Sequence, residues 1–367
     1  MPVRNPNRFF SVLLLGAFAS IAVAAGTAFA QQTSNAAKLP ARNASASEIS
    51  AQNAPAGAPG QSTAQAEPTA QSGSNGQFIF RTSASEVVLY ATVIDNHQHQ
   101  VTTLAQQDFT VYENNVPQTI SAFRQEDVPV SLAILVDNSA SMAEKRNAVD
   151  RAALNLVRAS NPQDEAFIVN FSDQAFLDQD FTSNIGLLEK GLTHIDSEGG
   201  TALYDAVIAA ADHLSKHAKR AKQVILIVTD GEDNSSSTTL AETVRRIQDL
   251  HGPIVYSIGL LYAGSNREGH QARKALQTLS DETGGMAFFP KSLNQVDVIT
   301  TEVARDIREQ YILGYHPAQP ISQGGYRAIR VDAKAKGVGK LTVRTRAGYF
   351  AQPQPSPGII QPGSTHP

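Results

Sequence analysis

Three oxygen-bearing side chains follow an apolar run near the middle of this 367-residue chain. The run, residues 132–136, has the length and the aliphatic content of a buried strand, and Asp137 follows it directly. Ser139 and Ser141 come next at alternate positions, so one carboxylate and two hydroxyls stand at the end of the strand. Hard cations such as Mg2+ and Ca2+ bind oxygen ligands of this kind. The segment therefore predicts part of a metal site, or a polar turn if no other segment supplies oxygens.

Two later segments supply more oxygens. Thr201 follows two glycines and precedes an amphipathic run, and a second apolar run, residues 224–229, ends directly before Asp230. Open α/β sheets bind ligands at the carboxyl ends of their strands, where the strand order reverses. Because Asp137 and Asp230 both end strands, we expect their carboxylates to face one crevice. Each segment alone is also ordinary capping chemistry, and it is the combination of all three that favours a metal site.

The order and spacing of these residues resemble a known motif. Asp137, Ser139 and Ser141 form a D-x-S-x-S pattern. Followed by Thr201 and Asp230, this pattern resembles the metal-ion-dependent adhesion site of von Willebrand factor type A domains. The resemblance implies that Ser139 and Ser141 bind Mg2+, or else Ca2+ or Mn2+, directly. It implies that Asp137 and Asp230 hold the cation directly or through water, and that Thr201 joins by its hydroxyl. It also implies a protein partner whose Asp or Glu carboxylate completes the coordination shell.

Between residues 130 and 314, apolar runs alternate with amphipathic segments. This order predicts an α/β fold with a doubly wound, mostly parallel sheet and helices on both faces, the fold that the resemblance also implies. The predicted strands are residues 132–136, 166–171, 175–181 (an antiparallel edge), 224–229, 254–258 and 287–289. The predicted helices are residues 143–159, 186–195, 202–216, 240–250, 270–283 and 294–310.

The segments on either side of this region favour β-structure. Strand patterns occupy residues 86–94, 109–113, 119–123, 326–332 and 340–350, the last two around a glycine-rich turn. An isolated hairpin is only marginally stable in water. We therefore expect the late strands to pair with the early ones in a small β-sandwich-like domain that carries the α/β domain as an insertion. Both flanks resemble exported bacterial proteins with the von Willebrand factor A-related domain of Acidobacterial type.

The first thirty residues have the features of an export signal. Arg4 and Arg8 form a basic start, residues 9–25 are apolar, and residues 28–30 form an A-x-A cleavage site. Cleavage predicts an exported bacterial protein, periplasmic or secreted, whereas an uncleaved segment would be a membrane anchor. The predicted organisation is a signal peptide at 1–30, a disordered linker at 31–77, β-domain parts at 78–128 and 315–350, a von Willebrand factor type A domain at 129–314, and a disordered tail at 351–367.

The charge balance and the absence of cysteine exclude several kinds of site. The chain has 30 basic and 34 acidic residues, and residues 1–30 contain two of the arginines and no acid. No basic field is left to attract nucleic acid or an anionic membrane surface. Membrane contact is therefore expected only through an uncleaved signal segment. The lack of cysteine excludes disulfides and thiolate metal sites.

Two pairs of histidines are further candidate metal ligands. His97 and His99 lie in a predicted polar turn, and His213 and His217 lie one turn apart on a predicted helix. Both pairs are interpreted as solvated side chains rather than as ligands. The helical pair also lacks the glutamate that a zinc protease would place beside its first histidine.

Three acidic residues near the candidate site each allow two interpretations. Glu232 and Asp233 either extend the acidic rim of the site or are solvated charges ahead of a helix, where acids are favoured. Asp205 either contacts the metal-binding residues without binding the metal itself or is a charge on a helix surface.

The motifs predict a binding module rather than an enzyme. The sequence contains no nucleophile elbow, no phosphate-binding loop and no zinc-protease motif. The expected function is divalent-cation-dependent protein binding, in adhesion or in the assembly of a complex. The alternatives are a metal-stabilised structural scaffold of the envelope and, less favoured, a metal-dependent hydrolase.

Overall fold

A computed structural model describes residues 86–351 except residues 126, 159–160, 194–197 and 262–266. The predicted signal peptide, linker and C-terminal tail, apart from Ala351, lie outside the described residues. Within the described residues, no helix is both long and apolar enough to cross a bilayer.

The described part of the chain alternates strands and helices through its middle and has strands alone at both ends. The strands are β1 (Val87–Ile94), β2 (Phe109–Glu113), β3 (Val116–Gln118), β4 (Ile120–Arg124), β5 (Val130–Asp137), β6 (Glu165–Phe171), β7 (Ala175–Thr182), β8 (Lys222–Thr229), β9 (Ile254–Gly259), β10 (Ala287–Phe288), β11 (Tyr311–Tyr315), β12 (Gly325–Ala333), β13 (Thr342–Arg344) and β14 (Gly348–Ala351). The helices are α1 (Arg146–Arg158), α2 (Ile185–Leu192), α3 (Leu203–His217), α4 (Leu240–Asp249), α5 (Arg267–Thr283) and α6 (Val296–Arg308).

The central sheet has six strands in the order β10-β9-β8-β5-β6-β7. Its neighbours run parallel except β7, which pairs antiparallel with β6 at the edge. Both faces are covered, because Ile134 of β5 packs into a core with α1, α2 and α6, and Leu135 packs into a second core with α3, α4 and α5. Burial on both faces explains why these strands are continuous apolar runs. The predicted α/β fold and its antiparallel edge are confirmed.

The helix boundaries differ from the predicted ones mainly at α1. The pattern predicts a helix from residue 143, but residues 140–142 form a 3₁₀ turn and α1 begins at Arg146. This turn contains Ser141. The polar motif therefore lies on a separate turn between β5 and α1, and not on the helix itself.

The remaining strands form two four-stranded sheets, β13-β1-β11-β4 and β14-β12-β2-β3. Each joins strands from before and after the central sheet: β1 pairs antiparallel with β11, and β2 pairs antiparallel with β12. The two sheets share one cluster of buried side chains that includes Leu89, Val111, Tyr311 and Val331. The predicted domain boundary after residue 314 lies within β11. The predicted domain boundaries are not tested by this arrangement and stay predictions.

Some strands that are neighbours in sequence lie in different flanking sheets. Residues 340–350 are predicted as one strand, but β13 pairs with β1 in one sheet and β14 pairs with β12 in the other. The chain crosses between the sheets at residues 345–347, where the Ala347 amide donates to the Glu282 carbonyl at 3.1 Å. β4 likewise leaves the β2–β3 hairpin and pairs with β11. The late strands thus pair with the early ones, as expected. Residues 340–350 form two strands rather than one, because a strand pattern does not indicate to which sheet a strand belongs.

Candidate metal site

Asp137 is the last residue of β5, and its side chain is buried at the carboxyl end of the central sheet. Its Oδ1 accepts a hydrogen bond from the Ser139 amide at 2.8 Å. Its Oδ2 accepts one from the hydroxyl of Thr229 at 2.5 Å, and Thr229 is the last residue of the neighbouring strand β8. The carboxylate is therefore fixed between the ends of two adjacent parallel strands, where open α/β sheets bind ligands.

The two serines connect this strand end to Asp230. The hydroxyl oxygens of Ser139 and Ser141 lie 3.2 Å apart, and the Ser141 hydroxyl donates to Oδ1 of Asp230 at 2.7 Å. The side chain of Asp230 is 1% exposed. The structure thus brings four of the five predicted residues into one local set of oxygen atoms.

Thr201 lies beside this set but is not hydrogen-bonded into it. Among the described residues, no hydrogen bond joins its hydroxyl to the other four side chains. A Cβ atom built on Gly231 would lie 3.3 Å from Thr201 Oγ1, so the hydroxyl is close to the peptide that follows Asp230. The Thr201 backbone is fixed by Asn234, whose Oδ1 accepts from the Thr201 amide at 2.9 Å.

Two basic residues of the same segment were not predicted. The ammonium group of Lys145 forms an ion pair with Oδ2 of Asp230. Arg146 is buried, and its guanidinium donates to the Asp137 carbonyl at 3.4 Å and to Asn138 Oδ1 at 3.2 Å. The four-residue spacing between Ser141 and Lys145 could have indicated the lysine, since such spacing places side chains on one face of a helical turn. Nothing in the sequence indicated that the arginine is buried.

The environment of Asp137 resists negative charge. Burial raises the pKa of the Asp137 carboxyl above its ordinary value, hydrogen bonds from Thr229 and Ser139 oppose this effect, and the nearby charge of Asp230 adds to it. Two carboxylates that share a buried site repel each other, and a cation between them would relieve the repulsion.

The other acidic residues of this region hold loops in place. Asp233 accepts hydrogen bonds from the Tyr204 amide at 2.9 Å, in the first turn of α3, and from the Ser236 hydroxyl at 2.6 Å. Asp205 accepts from the hydroxyls of Ser237 and Thr238 at 3.0 and 2.6 Å. Burial raises the pKa of Asp205, but these hydrogen bonds outweigh burial and leave the pKa below its ordinary value. Asp205 therefore ties α3 to the loop before α4, a role that the sequence did not indicate.

The histidine pairs lack the surroundings of a metal site. His213 Nε2 lies 2.8 Å from Asp180 Oδ1, and its ring stacks on Phe181 with 5.3 Å between centroids. His99 Nδ1 lies 3.5 Å from a carboxylate oxygen of Asp95. Within the described ranges, no three residues of the types His, Cys, Asp and Glu are grouped so that they could hold a metal ion.

The donor set of the candidate site fits a hard divalent cation. It offers carboxylate and hydroxyl oxygens only, from two aspartates, two serines and a threonine. Mg2+, Ca2+ and Mn2+ prefer such ligands, whereas Zn2+ sites are usually built from nitrogen and sulfur.

Comparison with known proteins places the central region in a family. Residues 132–232 match the family model of the von Willebrand factor type A domain, and no curated protein matches the sequence.

Solved structures resemble the chain at low sequence identity. A von Willebrand factor type A protein from Catenulispora acidiphila is 13% identical, with a TM-score of 0.44, over 66% of this chain and 72% of that one. The vWF domain of the type V pili tip protein Mfa5 from Porphyromonas gingivalis is 11% identical, with a TM-score of 0.40, over 49% of this chain and 95% of that one. Proximal thread matrix protein 1 from the mussel byssus, described with a zinc-occupied MIDAS motif, is 14% identical, with a TM-score of 0.41, over 58% of this chain and 50% of that one. From the family match, residues 132–232 of this chain form part of a von Willebrand factor type A domain.

Proposed function

We propose that this protein binds a protein partner through a divalent cation held by Asp137, Ser139, Ser141, Thr201 and Asp230. The observation that carries the proposal is the continuous contact from Ser139 to Ser141 and on to Asp230. Asp230 is distant in sequence from the two serines, and the oxygens of all three meet at the carboxyl end of the sheet next to the Asp137 carboxylate. We propose Mg2+ as the cation, with Ca2+ or Mn2+ as alternatives.

The roles proposed for the residues follow from their charge and their mobility. A serine hydroxyl rotates freely about its C–O bond, so Ser139 and Ser141 can turn their lone pairs from each other towards a cation. Asp137 and Asp230 supply two negative charges, which balance a divalent ion without reversing its charge. When bound, the cation supplies a Lewis-acidic centre that accepts a carboxylate oxygen from outside. The class of partner that fits is therefore a protein with an accessible Asp or Glu.

The proposed setting is outside the cytoplasm. The basic, apolar and A-x-A features of residues 1–30 support export to the periplasm or beyond the cell. Adhesion and the assembly of an envelope complex are both compatible with such a site, and we propose a binding protein rather than an enzyme.

Calorimetry with matched peptides tests this function. Mg2+ is titrated into the protein, and the peptides Gly-Glu-Gly and Gly-Gln-Gly, both acetylated and amidated so that the glutamate is the only carboxylate, are then titrated with and without Mg2+. The proposal predicts heat from Gly-Glu-Gly in the presence of Mg2+ only, and none from the glutamine peptide. Metal binding with no response to either peptide would instead support the structural scaffold.

The first variant for this experiment is Asp137→Asn. The amide can still accept from Ser139 and pair with Thr229, so the fold should persist while one of the two charges on the cation is lost. We expect Mg2+ binding to weaken by at least about tenfold, as for the loss of a charged contact of more than about 1.4 kcal/mol. Asp332→Asn, at an exposed side chain of β12, is the matched control and should leave the titration unchanged. Equal Mg2+ affinity in Asp137→Asn and the control would show that the site is misassigned.

A further inference from the structure

A cavity lies at the end of the central sheet opposite to the candidate metal site. It has a volume of about 270 Å3 and is lined by residues from the starts of β8 and β9, from β1, from the turn after α4 and from the crossing between β13 and β14. Gln223, at the start of β8, lines it, whereas Asp230 follows the end of that strand. At about 3.3 Å per residue, the two places are roughly 23 Å apart. The cavity is therefore separate from the candidate metal site.

Arg346 gives this cavity a positive charge. Its guanidinium donates to two backbone carbonyls, those of Val88 and His251, the second at 3.4 Å. Among the residues that the structure describes, no Asp or Glu forms an ion pair with it. Burial lowers the pKa of Arg346, and the nearby tyrosines 90, 315 and 349 only partly offset this effect. A guanidinium stays protonated in proteins, so its charge is partly desolvated without an acidic partner, which costs free energy that an anion would recover.

Two further polar groups line the same space. The hydroxyl of Tyr90 has no hydrogen-bond partner among the described residues, and its aromatic ring lies 4.9 Å from the ammonium group of Lys222. Burial lowers the pKa of His251, and the charge of Arg346 lowers it further against the opposing field of Asp249. The imidazole is thus neutral at pH 7 and can donate one hydrogen bond. Both groups can serve as donors to an anion next to Arg346.

The remainder of the lining is mixed. Its apolar side chains are those of Val88, Ala221, Leu250 and Ile254, and its polar side chains are those of Ser215, Gln223 and Thr283. Inorganic ions would leave the apolar side chains wet, whereas an organic body would cover them. The volume equals that of roughly nine water molecules at about 30 Å3 each, which is small for a ligand pocket and limits the body to a few carbon atoms or one ring.

We propose that this cavity binds a small organic anion, with its carboxylate or phosphate oxygens against Arg346 and Tyr90 and its apolar body against Val88, Leu250 and Ile254. The guanidinium offers two parallel donors that match either oxyanion. A ligand bound here would contact β1, the β13–β14 crossing, the turn after α4 and the start of β9.

The test is thermal unfolding and calorimetry of the full chain with three probes. Benzoate carries a carboxylate on one ring, benzyl alcohol is its uncharged match, and inorganic phosphate has no apolar body; ionic strength is held constant with chloride. The proposal predicts that benzoate raises the Tm and binds more tightly than phosphate, and that benzyl alcohol has no effect. Stabilisation by phosphate alone would contradict the proposal that the ligand is organic. An effect of benzyl alcohol equal to that of benzoate would contradict the proposal that the ligand must be an anion.

Variants assign the effect to the cavity. Arg346→Gln should weaken benzoate binding by at least about tenfold, and Tyr90→Phe by about two- to tenfold, as for charged and neutral hydrogen bonds. Arg330→Gln removes the same charge from an exposed side chain of β12 and should bind benzoate as the unmodified protein does. If Arg346→Gln does not fold, Tyr90→Phe decides, since it keeps the ring and removes only the hydroxyl. Unchanged benzoate affinity in Tyr90→Phe, or in a folded Arg346→Gln, would overturn the proposal.

Discussion

At the scale of the residue, the candidate site contains its own cation. Lys145 forms an ion pair with the oxygen of Asp230 that does not accept from Ser141. The Asp230 side chain is 1% exposed and that of Lys145 is 23% exposed, so the pair lies at the border between the buried site and solvent. A divalent ion bound to Asp230 must share this carboxylate with the ammonium group or displace it.

Lys145→Met should therefore tighten Mg2+ binding. The substitution keeps the unbranched stem and removes the competing charge. Ion pairs near a surface contribute up to about 1 kcal/mol, so we expect Mg2+ affinity to rise by about two- to fivefold. Lys145→Arg retains the charge and is the control, with an affinity near that of the unmodified protein. Calorimetric titration with Mg2+ measures both variants. Weaker binding in Lys145→Met would mean that the lysine supports the site rather than competes with the metal.

The residue types of the site could be read from the sequence, but their contacts could not. Asp137, Ser139, Ser141 and Asp230 were predicted because oxygen-bearing residues at two strand ends must lie at one edge of a parallel sheet. The hydrogen bond from Thr229 and the ion pair from Lys145 depend on side-chain rotamers, which no pattern of residue types specifies.

At the scale of the element, β2 and β12 are joined by a buried ion pair. Glu113 accepts from the Arg327 guanidinium at 2.8 Å, and its second oxygen accepts from the hydroxyls of Tyr315 and Tyr349 at 2.6 and 3.0 Å. Both members of the pair are almost fully buried. Burial and the contacts to Glu113 raise the pKa of Tyr349 to about 12, so this hydroxyl remains a donor at neutral pH.

Glu113→Ala should destabilise the fold strongly. The substitution leaves the Arg327 charge buried without its carboxylate, and breaking a buried pair in this way costs about 3–5 kcal/mol. Urea unfolding followed by circular dichroism measures the loss. The matched control is Asp332→Ala, which breaks the exposed pair with Arg330 on the same strand and should change the free energy of unfolding far less. Similar losses in the two variants would contradict the structural role assigned to Glu113.

The strands of the central sheet were predictable, and the division of the flanking strands was not. Burial on both faces makes β5 and β8 continuous apolar runs, and their length of eight residues is typical of a strand and short for a helix. In the flanking sheets, β4 and β13 pair in a different sheet from the strands next to them in sequence. Alternation reports which face is buried and carries no information about the partner strand.

At the scale of the whole molecule, Lys222 lies between the central sheet and the flanking sheets. It begins β8, its ammonium group donates to the Ile307 carbonyl in α6, and it lies over the ring of Tyr90 in β1. Burial lowers the pKa of Lys222 from 10.5 to about 7, although the charges of Asp306, Asp127 and Asp164 oppose the shift.

This shift predicts a pH dependence of stability. Between pH 7 and pH 10.5 the unfolded chain holds the Lys222 proton and the folded chain has released it. The unfolded state then binds more protons, so this residue's contribution to stability rises with pH across that window, by up to about 1.4 kcal/mol per pH unit. Lys222→Met removes the titrating group. Urea unfolding from pH 6.5 to pH 10 measures the free energy of unfolding of both proteins. The value for the unmodified protein minus the value for Lys222→Met should increase steadily with pH, and a constant difference would contradict the assignment.

The proposed metal site consists of five oxygen-bearing residues at the carboxyl end of the sheet that hold one divalent cation. Anomalous diffraction from crystals grown with Mn2+ locates such an ion. One strong peak is expected within bonding distance of the Ser139 and Ser141 hydroxyls, bordered by Asp137, Asp230 and Thr201, with Lys145 moved away from Asp230. A crystal that shows no Mn2+ at these residues, or shows it only elsewhere, for example at His213 and His217, would show that the site is wrongly assigned.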